Sequence, residues 1–198
     1  MQGLAASSRI VLVVFLLSMA GAAAADGRKR VVSSSSDEPC TKMTLYLHDI
    51  LYNGVNNSQN ATAAPATRPT ALGTTYFTNN TFFGMMVVFN DLVTEGKELP
   101  VGNEKPAALA QGFYFYDKKE TYAAWFSFSL VFNSAAHKGT LNVMGADPMD
   151  EDTRDFTIVG GTDDFFMARG IVTIRTDLVQ GSFYFRLQMD IKLYECYV

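Results

Sequence analysis

From Phe183 to Leu193 the side chains alternate without a break. Phe183, Phe185, Leu187, Met189, Ile191 and Leu193 take one side; Tyr184, Arg186, Gln188, Asp190, Lys192 and Tyr194 take the other. Successive side chains of a strand point to opposite faces, so a period of two with one apolar row specifies a half-buried β-strand. No stretch beyond the first 25 residues shows a helical period. A chain committed to strands must then dispose of their edges, because unpaired backbone groups invite aggregation.

The other apolar stretches follow the same rule. Thr44 to Tyr52 puts Leu45, Leu47, Asp49 and Leu51 on one face. Phe82 to Val93 has strand composition, with Gly84 and Asn90-Asp91 expected to bend or bulge it. Ala110 to Asp117 carries Gly112, Tyr114 and Tyr116 on one side and Phe113 and Phe115 on the other, so both faces call for cover. Lys118-Lys119-Glu120 is a tight turn, and Tyr122 to Asn133 completes an antiparallel hairpin. After a turn at His137-Lys138-Gly139, Thr140 to Met144, Phe156 to Val159 and Arg169 to Asp177 are further strands. The sum is an all-β domain of about eight antiparallel strands, and closing it into a barrel removes the edges and leaves room for a central cavity holding a small ligand. Self-association would cover the strands that are apolar on both faces.

Residues 1–25 read as a secretory signal peptide: Arg9, the apolar run Ile10 to Leu17, then the small residues Ala20 to Ala25. That run is too short to span a bilayer, and no later segment is long and apolar enough, so no membrane partner is expected. Residues 26–39 are polar and serine-rich, a flexible arm, which leaves 40–198 as the barrel domain. The sequence has two cysteines, Cys40 and Cys196. In an oxidising compartment they are each other's partners, and the bridge would stabilise the fold by at most ~4–5 kcal/mol. It would also make the first and last strands neighbours, as a closed sheet requires. Three glycosylation sequons, at Asn56, Asn60 and Asn79, crowd the polar segment 53–81. There are 16 basic and 20 acidic side chains, and losing Arg9 with the leader takes the net charge from −4 to −5. Nucleic acid is therefore not an expected partner.

The candidate chemistry centres on 145–170. A turn is expected at Ala146-Asp147-Pro148, then an acidic loop, then Arg154, then a short strand and a change of direction at Gly160-Gly161. If that loop folds back, Asp147 and Arg154 share a pocket and set a proton donor or acceptor beside a fixed cation; if not, they are solvated loop charges. Asp49 stands among leucines, where a carboxylate is costly unless paired or useful, or else lies at a strand rim. Tyr114 and Tyr116 either grip a flat ligand or simply fill the barrel. The sequence has no phosphate loop or nucleotide fingerprint, and neither His48 nor His137 has a neighbour at metal-ligand spacing, so no cofactor and no metal are expected. No nucleophile motif supports a hydrolytic triad.

Several segments, taken together and in order, resemble the plant dirigent family. They are Tyr46-Leu-His-Asp-Ile-Leu-Tyr52, Phe83-Gly84, Ala110-Gln-Gly-Phe-Tyr-Phe-Tyr116, Gly139-Thr-Leu-Asn-Val-Met-Gly145, Val159-Gly-Gly-Thr162 with Phe165, Ala168-Arg-Gly170, and Asp190-Ile-Lys-Leu-Tyr-Glu-Cys196. The ending and the Asp147 to Arg154 spacing are most similar to the lignan-forming branch. Two positions depart from the family pattern: Asp163 stands where many members have glycine, and Asn90 replaces a common acidic residue.

The resemblance implies an eight-stranded antiparallel barrel that forms a homotrimer. It implies no oxidative activity: a separate laccase or peroxidase makes phenolic radicals from a monolignol such as coniferyl alcohol. The dirigent protein then orients two of them for 8–8′ coupling to one enantiomer of pinoresinol, in the extracellular space. The family's pocket aspartates fall on Asp49 and Asp147, its arginine on Arg154, its paired tyrosines on Tyr114 and Tyr116, and a wall aromatic on Phe185. Two other functions are compatible with the same resemblance: a dehydratase that forms pterocarpans through a quinone methide, and a non-catalytic defence or wall protein.

Overall fold

The computed structural model describes residues 30–32, 38–54, 56–73 and 81–197. The expected signal peptide, most of the arm and the Asn79 sequon lie outside them. The described residues form ten strands: β1 (Arg30–Val32), β2 (Thr41–Ile50), β3 (Ala63–Pro65), β4 (Met86–Thr94), β5 (Ala108–Phe115), β6 (Ala123–Asn133), β7 (Lys138–Pro148), β8 (Thr153–Gly161), β9 (Arg169–Gln180) and β10 (Tyr184–Tyr197). Among the described residues the only helical piece is a 3-10 turn at Asp163–Phe165.

Eight strands close into an antiparallel barrel in the order β10-β2-β4-β5-β6-β7-β8-β9, with β9 pairing back onto β10. The alternating segment becomes β10, the 14-residue spine of this closure, except that Phe183 stands in the turn before it and is exposed. Its ladder to β2 runs from Tyr184↔Ile50 to Leu193↔Thr41 without a shift. Past the start of β2, β1 takes over the same edge, pairing Val32 with Glu195, so part of the expected arm is ordered as strand. Cys40 and Cys196 are joined in a disulfide with Cα atoms 6.4 Å apart, tying the first barrel strand to the last.

Four local expectations change. Asn90-Asp91 makes no bulge: β4 runs through both, paired with β5 from Met86↔Phe115 to Val93↔Ala108. The two-residue period of Phe89, Asp91 and Val93, all buried, holds the strand straight. Ala146-Asp147-Pro148 is the end of β7 rather than a turn. Proline is tolerated there because the β7–β8 ladder already stops at Met144↔Thr157, so its missing amide breaks no bond with β8. Gly160-Gly161 finishes β8, and the change of direction falls on the following 3-10 turn. Within the long sequon-bearing connection, β3 adds to β4 through Ala63↔Phe89 and Pro65↔Val87.

The inward rows differ along the axis. Toward one end lie Leu130, Leu141, Val143, Ile158, Val172, Met189, Ile191 and Leu193, each 2 % exposed or less. The 3-10 turn packs Phe165 at a tilt against Phe132 there, with ring centroids 4.8 Å apart. Toward the other end, inward-facing Phe126, Leu187 and Phe185 stay half-buried, so solvent reaches the barrel interior from this side.

Candidate active site

Among the described residues, the buried carboxyl groups and the buried arginine of the interior gather at that accessible end. Antiparallel strands alternate direction, so the end collects the last residues of β2, β5, β7 and β9 and the first of β4, β6, β8 and β10. That is why residues as far apart in sequence as Asp49, Tyr116, Arg154 and Phe185 meet.

Asp147 and Arg154 close the first cluster. Arg154 Nε donates to Asp147 Oδ1 at 2.8 Å, with both residues buried. The guanidinium is held again by Thr176 Oγ1 of β9 at 3.1 Å and by the Glu151 carbonyl at 3.4 Å. The β7–β8 ladder is paired only as far as Met144↔Thr157, and Asp147 and Arg154 stand on the two strands beyond its end. Burial raises the Asp147 carboxyl above its ordinary value, and Arg154 pulls it back only in part. The result is an acid poised beside a fixed charge.

Asp49 lies on the opposite flank, at the end of β2, and faces Phe185 across the β2–β10 ladder. It is half-buried as a residue, yet its Oδ1 is sealed from solvent with no hydrogen-bond partner. Burial pushes its carboxyl up to about 7. Beside it on β4 is Asp91, 1 % exposed. Desolvation first and the Asp49 charge second hold Asp91 well above the usual carboxylate range, against an opposing hydrogen bond from Thr62. Sequence reasoning passed over Asp91 by reading a bend; the period of Phe89, Asp91 and Val93 was the signal that turned it inward.

The tyrosines join the two flanks. Tyr114 and Tyr116 are both buried, with rings edge to face at 5.8 Å. Tyr114 stacks on Phe126 at 4.6 Å, and Tyr116 stacks on Phe82 at 5.0 Å and on Tyr122 at 5.8 Å. Burial drives both hydroxyls far above the ordinary phenol range, so they remain protonated donors. Tyr114 also feels the Asp49 and Asp91 charges, whereas Tyr116 feels Asp147. The arrangement is an aromatic box with an acid on either side and one cation, suited to aligning flat phenols and passing a proton to an oxygen.

The other expected residues lie elsewhere. Asn56 and Asn60 are exposed in the connection before β3. His48 is fully buried on the outward side of β2, held between the Tyr184 hydroxyl at 2.9 Å and Thr94 Oγ1 at 2.7 Å. The loop after β4 is fastened beside it, with Arg186 donating to the Lys97 carbonyl and Lys97 paired to Asp177.

Known proteins share this framework. The chain is 54% identical to dirigent protein 5 of Arabidopsis thaliana, over 85% of this chain and 87% of that one. It is 48% identical to a dirigent protein of Sinopodophyllum hexandrum, over 80% of each. In fold it resembles the pterocarpan synthase dirigent protein GePTS1, with a TM-score of 0.65 at 22% identity over 86% of both chains. The family model described as "Dirigent-like protein" matches residues 40–194, which take in all eight barrel strands but the last three residues of β10, and the chain belongs to that family.

Proposed function

We propose that this protein guides the 8–8′ coupling of coniferyl alcohol radicals, made by a separate laccase or peroxidase, to a single enantiomer of pinoresinol. The observation that carries the reading is the buried Asp147–Arg154 pair set beside the tyrosine box. Radical–radical coupling has little barrier, so selectivity depends on orientation rather than acceleration. A pose preferred by about 1.4 kcal/mol is favoured tenfold. Stacked tyrosine rings and fixed hydroxyl donors supply preferences of that size.

Coupling leaves a bis-quinone methide. Ring closure needs a proton at each quinone-methide oxygen and releases one from each attacking side-chain hydroxyl, so an acid that gives and retakes a proton balances the step. In this reading Asp147 and Asp49 are those acids, Arg154 orients a phenolic oxygen, Tyr114 and Tyr116 position the rings, and Phe185 forms a wall. The expected setting is the extracellular space, in keeping with the paired cysteines. A homotrimer would cover the outward row of Val88, Phe113, Phe115, Trp125 and Met144, each between 36% and 44% exposed.

The test is chiral chromatography of products formed from coniferyl alcohol and laccase, with and without the protein. One enantiomer of pinoresinol should exceed the other only when the protein is present. Asp147→Asn should remain folded and lose that excess; an unchanged excess removes Asp147 from the mechanism. Conversion of a phenolic substrate with no oxidant present would instead identify a dehydratase.

A further inference from the structure

The β2–β4 ladder is short, running from Tyr46↔Thr94 to His48↔Leu92. One step further in the same register sets Asp49 against Asp91, and here the strands part around Thr62. Its amide donates to the Ile50 carbonyl at 2.9 Å, and its own carbonyl accepts from the Asn90 amide at 2.8 Å. Its hydroxyl oxygen accepts from the Ile50 amide at 3.0 Å. The hydroxyl's one proton is then given to Asp91 Oδ1 at 2.6 Å. Thr62 is thus a wedge held by both strands, and its hydroxyl has a fixed direction.

Two carboxyl groups buried side by side cannot both ionise cheaply. Among the described residues no cation balances them on the walls around Asp49. β4 brings Asp91, β5 brings the un-ionised Tyr114, β10 brings the uncharged Phe185, and the Arg154 guanidinium across the interior is engaged with Asp147. The pair therefore retains a proton. Deeper burial favours the proton on Asp91, but the Thr62 hydroxyl aims its single proton at Asp91 Oδ1 and so favours the negative charge there; on that geometry the proton is assigned to Asp49. Asp49 Oδ1 is the buried oxygen without a partner. An orphan of this kind costs about 1–3 kcal/mol unless something arrives to satisfy it.

We propose that Asp91 and Thr62 are positioning residues for the acid: Asp49 and Asp91 hold one proton between them, and Thr62 fixes Asp91 as the carboxylate, so that Asp49 is the end that donates. This rests on the proposed function above. When a quinone-methide oxygen takes the Asp49 proton, the hydroxyl that adds to the methide carbon releases one, and the pair is recharged with no other reagent.

Two measurements on the full-length protein test this. Carbon-13 titration of the aspartate carboxyls needs no substrate. It should show a carboxyl step near neutrality in the wild type that moves down by about one pH unit or more in Asp91→Asn, as expected when a close like charge is removed. Enantiomeric excess against pH should fall on the alkaline side as Asp49 loses its proton, and that limb should move down in Asp91→Asn and in Thr62→Val. Thr62→Ser should restore it. Since Thr62→Val also destroys the Asn60 sequon, Asn60→Gln is the control, and it should leave the limb in place.

An Asp49 titration unaltered by Asp91→Asn overturns the shared proton, and so does a pH limb unmoved in both Asp91→Asn and Thr62→Val. If the wild type gives no asymmetric product at all, the parent function fails, while the carboxyl titration still decides whether the proton is shared.

Discussion

The two ends of the barrel are built from the same eight strands and spend their residues differently. At the closed end aliphatic side chains fill the inward rows of β6 to β10, with Leu130, Leu141 and Ile158 wholly buried. At the accessible end two seams open, β2 from β4 and β7 from β8. Each opening holds buried carboxyl groups, Asp49 and Asp91 in one, Asp147 with Arg154 in the other. A hydrophobic seal needs only the right volumes, whereas an acid inside a barrel must be offset elsewhere. The closed end supplies that offset, so stability is concentrated where chemistry is absent.

If that division is right, the ends respond to different perturbations. Leu130→Ala at the closed end should lower unfolding free energy by about 2–5 kcal/mol, read from the urea midpoint at constant slope. The loss should be the same at pH 5 and pH 7, because no titrating group lies near it in the aliphatic rows. A pH-dependent loss would mean that the two ends are coupled.

At the accessible end the sign reverses. The Asp49 carboxyl, near 7 in the folded state and about 4 when unfolded, contributes no penalty below pH 4. Its cost grows as pH rises toward 7, because the folded chain holds a proton that the unfolded chain has released. Asp49→Asn should therefore be nearly neutral at pH 4 and stabilising by about 1–3 kcal/mol at pH 7, while abolishing product asymmetry. Thermal melts of both proteins across that range check it. A flat difference would show that Asp49 is an ordinary rim carboxylate.

Most of the closed end was legible in the sequence, because a barrel core is a period-two pattern and Phe183 to Leu193 shows it plainly. The accessible end was half legible. Asp49, Asp147, Arg154, Tyr114 and Tyr116 could be named as candidates, since each sits on an inward row or in a recognisable segment. Asp91 was hidden by its neighbour: Asn90 and Asp91 together look like a turn, and only the strand's continued pairing with β5 shows otherwise. Thr62 was invisible for a different reason. It lies in a polar sequon segment, and its role comes from insertion between two strands remote in sequence, which no local pattern encodes.

The closed end is not without strain of its own. The segment that caps it holds two non-glycine residues in the left-handed region, Asp163 at φ 52° and Met167 at φ 55°. This is a backbone region that glycine occupies without steric cost. Aspartate tolerates this region, so Asp163→Gly should change stability by no more than about 0.5 kcal/mol, the relief being offset by a freer unfolded chain. Met167 is the sharper case. It has no such tolerance, its side chain is 48 % exposed, and its amide is held to the Gly161 carbonyl at 3.1 Å, which glycine would preserve. Met167→Gly should gain about 0.5–1 kcal/mol and raise the melting temperature by roughly 1–4 °C for a domain of this size. Product asymmetry should not move, because the turn lies at the far end from both acid pairs. A change in asymmetry without a change in melting temperature would show that the cap communicates with the site, and the separation of the two ends would have to be abandoned.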